Sequence, residues 1–362
     1  MIELAKIDSN FKIETSIKRE GLRFFNADTS PFAVYGVFRE DGMYRRIPSA
    51  VAKKVNDGVF SLHAHTAGGR IRFITDSPYV AVKVFYGAVG RMPHFTLVGS
   101  AGLDMYVREN GKEIYSGSFI PPYDVKDGFE QLIEFKNDIY GEAEKKTREI
   151  TLNMPTYSEV KDIYIGLDEN SMIAPPSEYI NKEPIVYYGH SITQGGCVSR
   201  PGYVYSSILS RRFHCDFINL GFSGSARGEV EIAEYIAGLN MKMLVYDYDY
   251  NAPSPEHLRQ THGRMFEIIR KAQPNLPIIM LTTTSKLIYA GSKDERIAAV
   301  YATYQQAIGN HDKNVYFLNG STVCDESDGP VGATVEGSHL NDIGFQCLAN
   351  ALAEVMEPLI LK

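Results

Sequence analysis

A serine hydroxyl, an imidazole and a carboxylate in the second half of the chain could together cleave an ester. Ser191 lies in the run Gly-His-Ser-Ile-Thr, and His339 follows Glu336 by three residues. A serine becomes nucleophilic when an adjacent imidazole removes its proton, and a carboxylate on the other ring nitrogen orients that imidazole. A spacing of three residues, on a turn that enters a helix, allows the carboxylate contact. These residue types predict acyl transfer through a covalent acyl-enzyme.

The negative charge that develops on an attacked carbonyl needs fixed hydrogen-bond donors. The candidates are the backbone amides of Ser191 and Gly224 and the side-chain amide of Asn251. Each site residue also has an ordinary structural interpretation, so the prediction depends on their convergence. Ser191 can cap a helix, Asn251 can close a turn, and Gly224 can serve backbone conformation alone. Glu336 can be a solvated loop acid.

Five short apolar runs predict the sheet that would position these residues. They alternate with amphipathic helical patterns and occupy residues 185–188, 217–220, 243–246, 278–281 and 315–318. Runs that are apolar on both faces are typical of buried parallel strands, so the pattern predicts a flavodoxin-like, doubly wound α/β sheet of five parallel strands. Ligands bind at the carboxyl ends of such strands. The candidate residues all follow one of these runs.

The first half of the chain has a different pattern. Short β-rich runs alternate with turn residues, at 34–38, 59–64, 71–74, 80–85, 105–107 and 148–152. This predicts an all-β sandwich or jelly roll without a long helix. Paired prolines in the stretch 174–178 predict a linker. We therefore expect an N-terminal domain over residues 1–175 and a catalytic domain over residues 176–362.

Composition excludes several classes of function. The 362 residues carry 37 basic and 44 acidic side chains, a net charge of −7, which argues against a nucleic-acid-binding surface. No apolar run approaches the roughly 18 residues of a membrane span. The first residues lack the apolar stretch of a secretory signal, which predicts a cytoplasmic protein. The four cysteines are widely and irregularly spaced, so they indicate neither a disulfide framework nor a zinc site.

No metal or other cofactor is expected. His63 and His65 could share one face of a predicted strand, but without a third ligand they are interpreted as ordinary structural histidines. Asp247 and Asp249 are expected to orient neighbouring loops rather than to bind a cation. Cys197, near the serine, is interpreted as a small buried side chain rather than a second nucleophile.

The motifs of the second half resemble those of the SGNH (GDSL-type) hydrolases. The run Gly-His-Ser-Ile-Thr-Gln-Gly at 189–195, followed by Ser-Arg-Pro-Gly at 199–202, is similar to one branch of that superfamily. The run Gly-Leu-Asp-Met-Tyr at 102–106 resembles the Gly-x-Asp-Leu-Tyr signature of the β-rich domain that precedes such hydrolases. The serine also lacks the second glycine of the G-x-S-x-G elbow, which argues against an α/β-hydrolase.

The resemblance implies a role for each of four residues. Ser191 would be the nucleophile, Gly224 and Asn251 would be oxyanion donors, and His339 would be the base. Three positions depart from the superfamily pattern. His190 stands where Asp is usual, Glu336 replaces the Asp of the acid-x-x-His block, and Leu340 stands where proline is common.

The sequence thus predicts a serine esterase that removes small acyl groups, with O-acetyl groups on a carbohydrate as the expected substrate. One alternative is a long-chain lipase, lysophospholipase or thioesterase, and another is a glycan-binding protein on a degenerate hydrolase fold. A phosphodiesterase would need metal ligands or an Arg/Lys clamp, which the pattern does not supply. The expected partner is a small-molecule or oligosaccharide ester. The oligomeric state is not predicted, and pocket size depends on the loops 284–291 and 324–335.

Overall fold

Two antiparallel sheets and a hairpin occupy the first half of the chain in a computed structural model that describes residues 13–135, 146–284, 292–324 and 332–360. The strands are β1 (Leu22–Asn26), β2 (Ala33–Tyr35), β3 (Phe38–Glu40), β4 (Met43–Arg45), β5 (Arg70–Thr75), β6 (Tyr79–Ala88), β7 (Leu103–Glu109), β8 (Lys112–Phe119), β9 (Gly128–Glu134), β10 (Arg148–Asn153), β11 (Glu159–Asp168) and β12 (Ile173–Ala174). Three short helices accompany them: α1 (Ser49–Val55), α2 (Asp57–Leu62) and α3 (Leu97–Ala101).

The two antiparallel sheets enclose one apolar core. One has the strand order β1-β11-β6-β9, and the other has the order β12-β5-β10-β7-β8 with β2 paired to β5. Phe73 and Ile150 from the second sheet lie in the same buried cluster as Val82 and Ile163 from the first. Burial of one face of each sheet is what the alternating pattern predicts. The prediction of an all-β N-terminal domain is confirmed.

The prediction of a strand at 59–64 is wrong. Most of this run forms α2, which begins after Asn56, whose side chain accepts a hydrogen bond from the Val59 amide at 2.8 Å. This cap favours a helix over the strand preference of the apolar side chains. The two histidines therefore do not share a strand face. His63 Nε2 lies 2.9 Å from Ser49 Oγ, whereas His65 Nδ1 lies 3.1 Å from Gln194 Nε2.

The second half is a five-stranded parallel sheet with helices on both faces. In chain order its elements are β13 (Asn181–Gly189), α4 (Ser191–Gln194), α5 (Tyr205–Phe213), β14 (Cys215–Gly221), α6 (Val230–Ala237), β15 (Met243–Asp247), α7 (Pro255–Ala272), β16 (Ile278–Leu281), α8 (Lys293–Gly309), β17 (Val315–Leu318) and α9 (Asp342–Ile360). The strand order is β14-β13-β15-β16-β17. All five predicted strands are confirmed, as is the doubly wound α/β class.

Each face of the parallel sheet has its own core. Ile232 of α6, Leu258 of α7 and Val300 of α8 pack together on one face. Leu209 of α5 and Leu352 of α9 pack on the other. Because helices cover both faces, the carboxyl edge of the sheet is left for the loops that carry the candidate residues. Among the described helices, none is long and apolar enough to cross a bilayer.

The N-terminal domain holds one edge of the parallel sheet. β14 is an edge strand, and the carbonyls of Phe217, Asn219 and Gly221 alternate along its outer side. Arg70 donates to Phe217 O, and Arg46 donates to Asn219 O at 3.2 Å and to Gly221 O. Both guanidinium groups are buried. Two arginines of the first domain thus supply the donors that an edge strand otherwise lacks.

Candidate active site

The loop after β13 fixes the serine. Gly189 ends the strand, and a Cβ there would lie 1.6 Å from Asp247 Oδ1, so no side chain fits. His190 is extended and its Nδ1 accepts a hydrogen bond from the Ile192 amide at 3.2 Å, which caps α4. Ser191 is the first residue of α4 and is only 5% exposed. The tight strand-to-helix turn therefore presents one hydroxyl at the carboxyl edge of the sheet.

The loop before α9 brings the imidazole to that hydroxyl. His339 Nε2 lies 2.9 Å from Ser191 Oγ, and its Nδ1 lies 2.6 Å from Glu336 Oε1. The same carboxylate oxygen accepts the backbone N–H of His339 at 3.0 Å. A bridge between Thr334 and Leu340 closes the loop around these residues. The structure thus brings together the three side chains that the sequence selected for acid–base and nucleophilic chemistry.

The charge state of Glu336 decides which ring nitrogen of His339 carries the proton. Partial burial acts to raise the pKa of the Glu336 carboxyl, but the hydrogen bonds from the backbone and ring of His339 outweigh it, so the pKa lies below its ordinary value. An ionised carboxylate only accepts hydrogen bonds, so Nδ1 of a neutral ring must be the donor. Nε2 is then free to accept the serine proton.

The remaining candidates line the same cleft. Ser191, Gly224, Asn251 and His339 all border a hollow of about 550 Å³ at the carboxyl edge of the sheet. The backbone of Gly224 has φ +69°, a conformation that favours glycine. The side chain of Asn251 donates to Phe222 O at 2.9 Å, which leaves its second N–H available to the cleft. A hollow of about 590 Å³ near residues 270–275 and 310–314 contains none of the candidates.

A buried pair of polar side chains, His190 and Asp247, lies behind the serine. His190 Nε2 is 3.6 Å from Asp247 Oδ2, and Thr193 Oγ1 donates to Asp247 Oδ1 at 2.6 Å. Burial lowers the pKa of His190 to about 3, and burial raises the pKa of Asp247 well above its usual value. The His190 ring is therefore uncharged at neutral pH, and burial also favours the neutral form of Asp247. His190 caps α4 and cannot compete with His339 as a base.

The acids at the end of β15 and just after it orient loops, as expected. Asp247 receives the Thr193 hydroxyl, and Asp249 Oδ2 accepts the Thr283 amide at 3.0 Å. Of the loops expected to set pocket size, 285–291 and 325–331 lie outside the described residues.

Side chains of the N-terminal domain also reach the site, which the sequence analysis did not predict. Tyr157 donates its hydroxyl to the carbonyl of Ser191 at 3.3 Å. Gln194 donates to the Thr156 carbonyl at 3.1 Å and accepts the Ser223 amide at 3.0 Å, so it joins both domains to the loop of Gly224. Gln194 lies in the serine motif at 189–195, and this position is the only feature of the sequence that could have indicated its role.

The signature at 102–106 connects the two domains. Asp104 accepts hydrogen bonds from the side chain of Asn153 and the backbone amide of Gly202, both at 2.9 Å. Tyr106 lies beside the same segment, with its hydroxyl 3.5 Å from Gly202 O. The run at 102–106 in the first domain and the run at 199–202 in the second therefore contact each other and form one interface. Asp104 and Tyr106 therefore have a structural role at the domain interface.

Comparison with protein families agrees with this architecture. Residues 182–357 match the model of the GDSL-like Lipase/Acylhydrolase family, and residues 22–173 match the model of the N-terminus of Esterase_SGNH_hydro-type proteins. Residues 182–357 are therefore a domain of the GDSL-like lipase/acylhydrolase family. The chain is an SGNH-type ester hydrolase with the N-terminal domain that its Gly-x-Asp-Leu-Tyr signature indicates. No curated protein matches the chain.

Solved structures share the whole two-domain fold. A candidate GDSL-like lipase from Bacteroides ovatus is 27% identical, with a TM-score of 0.82 over 94% of this chain and 98% of that one. A salicylyl-acyltransferase from a tetracycline biosynthetic pathway is 20% identical, with a TM-score of 0.74 over the same shares. An acetyl xylan esterase from Butyrivibrio proteoclasticus is 12% identical, with a TM-score of 0.56 over 93% of this chain and 98% of that one. The last two show a common fold.

Proposed function

We propose that this hydrolase is a serine esterase that removes small acyl groups, in particular O-acetyl groups on carbohydrates. The observation that carries the proposal is the 2.9 Å contact between Ser191 Oγ and His339 Nε2, with Glu336 on the other ring nitrogen. Ser191 is the proposed nucleophile, His339 the general base and acid, and Glu336 the residue that orients and stabilises the ring.

The reaction proceeds in two acyl transfers. Ser191 Oγ attacks the ester carbonyl carbon while its proton moves to His339 Nε2, and the carbonyl electron pair moves onto oxygen. The tetrahedral adduct collapses, the alcohol leaves with the proton from His339, and the acyl group stays on Ser191. Water then attacks the acyl-enzyme, gives its proton to His339, and releases the acid and the free serine.

The oxyanion donors in this proposal are the amides of Ser191 and Gly224 and the side chain of Asn251. All three residues border the same cleft. Donors fixed by the fold stabilise the charge that appears on the carbonyl oxygen without reorganising during the reaction. The contact of Asn251 with Phe222 O holds the amide in place for this role.

The lining of the cleft favours a hydroxylated leaving group over a long alkyl chain. Its described walls include Ser223, Ser254, Ser292 and Tyr250. Side-chain hydroxyls can exchange hydrogen bonds with sugar hydroxyls, whereas burial of alkyl chains needs a continuous apolar wall. The fold shared with an acetyl xylan esterase supports acetylated polysaccharides as the first substrates to test.

Ester hydrolysis by wild type and Ser191→Ala tests the proposal. We expect wild type to hydrolyse p-nitrophenyl acetate faster than the octanoate and palmitate, and to release acetate from acetylated xylan. Loss of the serine should lower kcat by about 10⁴- to 10⁶-fold, as removal of a triad nucleophile does. The matched control Ser116→Ala, on β8 of the other domain, should retain wild-type rates.

Three results would contradict the proposal. Wild-type protein without ester turnover but with affinity for sugars would favour a glycan-binding protein. A rate that rises steeply with chain length would favour a long-chain lipase or thioesterase. Equal fluorophosphonate labelling of wild type and Ser191→Ala would place the nucleophile elsewhere.

A further inference from the structure

The protein carries a cluster of metal-ligating side chains that overlaps the proposed active site. One ligand atom from each of His94, Cys197, Glu336 and His339 lies within 4.8 Å of all the others. The rings of His94 and His339 have centroids 5.5 Å apart and planes 39° apart. Two imidazoles, a thiol and a carboxylate are the donor types that bind Zn²⁺ and related transition metals.

Three separate segments supply the cluster. His94 comes from the N-terminal domain between β6 and α3, Cys197 follows α4, and the other two residues lie on the loop before α9. Leu340 O accepts the backbone N–H of Cys197 at 3.2 Å, which ties two of the segments together. The cluster could not be predicted from the sequence, because its members have none of the regular spacings of zinc motifs.

The dimensions of the cluster suit a tetrahedral ion after small side-chain movements. Zinc–ligand bonds of about 2.0–2.3 Å place tetrahedral ligand atoms roughly 3.3–3.8 Å apart. The ligand atoms of the cluster now lie up to 4.8 Å apart, so the most distant pairs have to approach each other by about 1 Å. His94 is partly exposed and can rotate inward, whereas Cys197 is buried and only 5% exposed.

We propose that His94, Cys197, Glu336 and His339 form an inhibitory site for Zn²⁺ or a similar thiophilic divalent cation. When the ion binds, the Cys197 thiol proton leaves to water and a sulfur–metal bond forms. His94 and Cys197 have no part in the proposed ester hydrolysis, so the site is a second property of the same loops.

Metal binding would stop the proposed reaction by changing the protonation of His339, so this effect rests on the proposed function. Coordination at Nδ1 displaces the proton that Glu336 now receives, and the neutral ring then carries its proton on Nε2. Ser191 then has no acceptor for its proton. Coordination at Nε2 removes the acceptor directly, so either geometry inhibits.

Cobalt binding tests the site without reference to activity. In the full-length protein, Co²⁺ bound by a thiolate gives a near-ultraviolet charge-transfer band, and a tetrahedral site gives strong visible bands. We expect both in wild type and expect Cys197→Ser to lose the charge-transfer band. Absence of this band in wild type, or its persistence in the variant, would overturn the proposal.

Zinc inhibition tests the consequence. We expect Zn²⁺ to inhibit ester hydrolysis reversibly, with recovery on chelation. For His94→Asn the half-inhibiting concentration should rise by at least about tenfold, since even loss of an outer partner of a metal ligand costs about 10- to 100-fold in affinity. Each variant is compared with itself in the absence of metal, so that changes in its basal rate cancel.

The controls are residues of the same types outside the cluster. Cys347→Ser and His311→Asn should keep wild-type zinc sensitivity, and asparagine tolerates the positive φ of 63° at residue 311. Equal inhibition of wild type and His94→Asn would overturn the proposal even if Cys197→Ser failed to fold. A cobalt–thiolate band in a protein without esterase activity would support the metal site and contradict the proposed function. Esterase activity that zinc does not inhibit, in a protein without the band, would support the proposed function and contradict the metal site.

Discussion

His339 Nε2 lies 2.9 Å from Ser191 Oγ, although 148 positions separate the two residues in the chain. Their loops are also joined directly. The Cys197 amide, after the serine, donates to Leu340 O at 3.2 Å, and the Ser199 amide donates to Asp342 Oδ1 at 2.8 Å. The contact between hydroxyl and imidazole is therefore supported by hydrogen bonds between the two loops and does not depend on the rotamers of Ser191 and His339 alone.

Glu336→Gln should reduce catalysis without disturbing the fold. The amide keeps the shape of the side chain but removes the charge that stabilises the imidazolium and fixes the Nδ1 proton. Replacing the buried acid of a serine triad by its amide lowers kcat about 10⁴-fold. Because Glu336 is partly solvated, we expect its replacement to lower kcat by about 10²- to 10⁴-fold, with little change in KM. Steady-state kinetics check this, with Glu354→Gln on α9 as the matched control. A kcat close to wild type would remove Glu336 from the proposed triad.

Asn251→Ala should lower kcat through loss of an oxyanion donor. One such donor is worth about 10²- to 10³-fold in kcat, and the substrate's ground-state binding should change little. The side chain also donates to Phe222 O, so the melting temperature is measured alongside the kinetics. Asn275→Ala, on the opposite edge of the sheet, is the control. A variant that loses stability but keeps its kcat would indicate that Asn251 is structural only.

The parts of the fold that could be predicted are those encoded by local pattern. The five parallel strands are continuous apolar runs, and their carboxyl-edge loops are fixed by the topology, so the meeting of Ser191 and His339 followed from the sequence. The run at 59–64 was misassigned because the Asn56 cap outweighs strand propensity there. The residues that are buried in the interface between the two domains do not recur at a regular spacing in the sequence, so no local pattern marks them.

For that reason the contributions of the first domain to the site were not predicted. Tyr157 donates across the interface to the Ser191 carbonyl, and Gln194 contacts the Thr156 carbonyl and the His65 ring across it. These contacts depend on how the two domains pack. His94 lies on an irregular segment whose position only the tertiary structure sets. The signature at 102–106 could be recognised in the sequence, but the hydrogen bond that Asp104 accepts from the Gly202 amide could not be predicted.

The stability of the interface should depend on pH through Asp104. Burial is the main cause that raises the pKa of Asp104 to about 6, from about 3.8 in the unfolded chain. An acid whose folded pKa is raised stabilises the fold below its unfolded pKa, and that contribution is lost as pH rises through the folded value. Between pH 4 and pH 6.5 the free energy of unfolding of wild type should therefore fall by up to about 3 kcal/mol relative to that of Asp104→Asn.

Denaturant unfolding of both proteins at several pH values measures this difference. Asparagine also changes the contacts with Asn153 and Gly202, which shifts the whole curve but not its pH dependence. A difference between the two proteins that is constant over this pH range would contradict the prediction.

Arg46→Met should destabilise the protein by more than any loss of charge on the surface. Arg46 is buried, it supplies donors to Asn219 O, Gly221 O and Leu62 O, and its guanidinium stacks 4.6 Å from the Phe222 ring. Methionine fills much of the volume but removes the arginine donor from Asn219 O and Gly221 O, whereas Leu62 O keeps the His65 amide. One unsatisfied buried group costs about 1–3 kcal/mol. We expect a loss of about 3 kcal/mol or more in the free energy of unfolding. Arg259→Met, on the surface of α7, should scarcely move the denaturation midpoint. Similar denaturation midpoints for the two variants would mean that the hydrogen bonds from Arg46 to the outer carbonyls of β14 do not stabilise the protein.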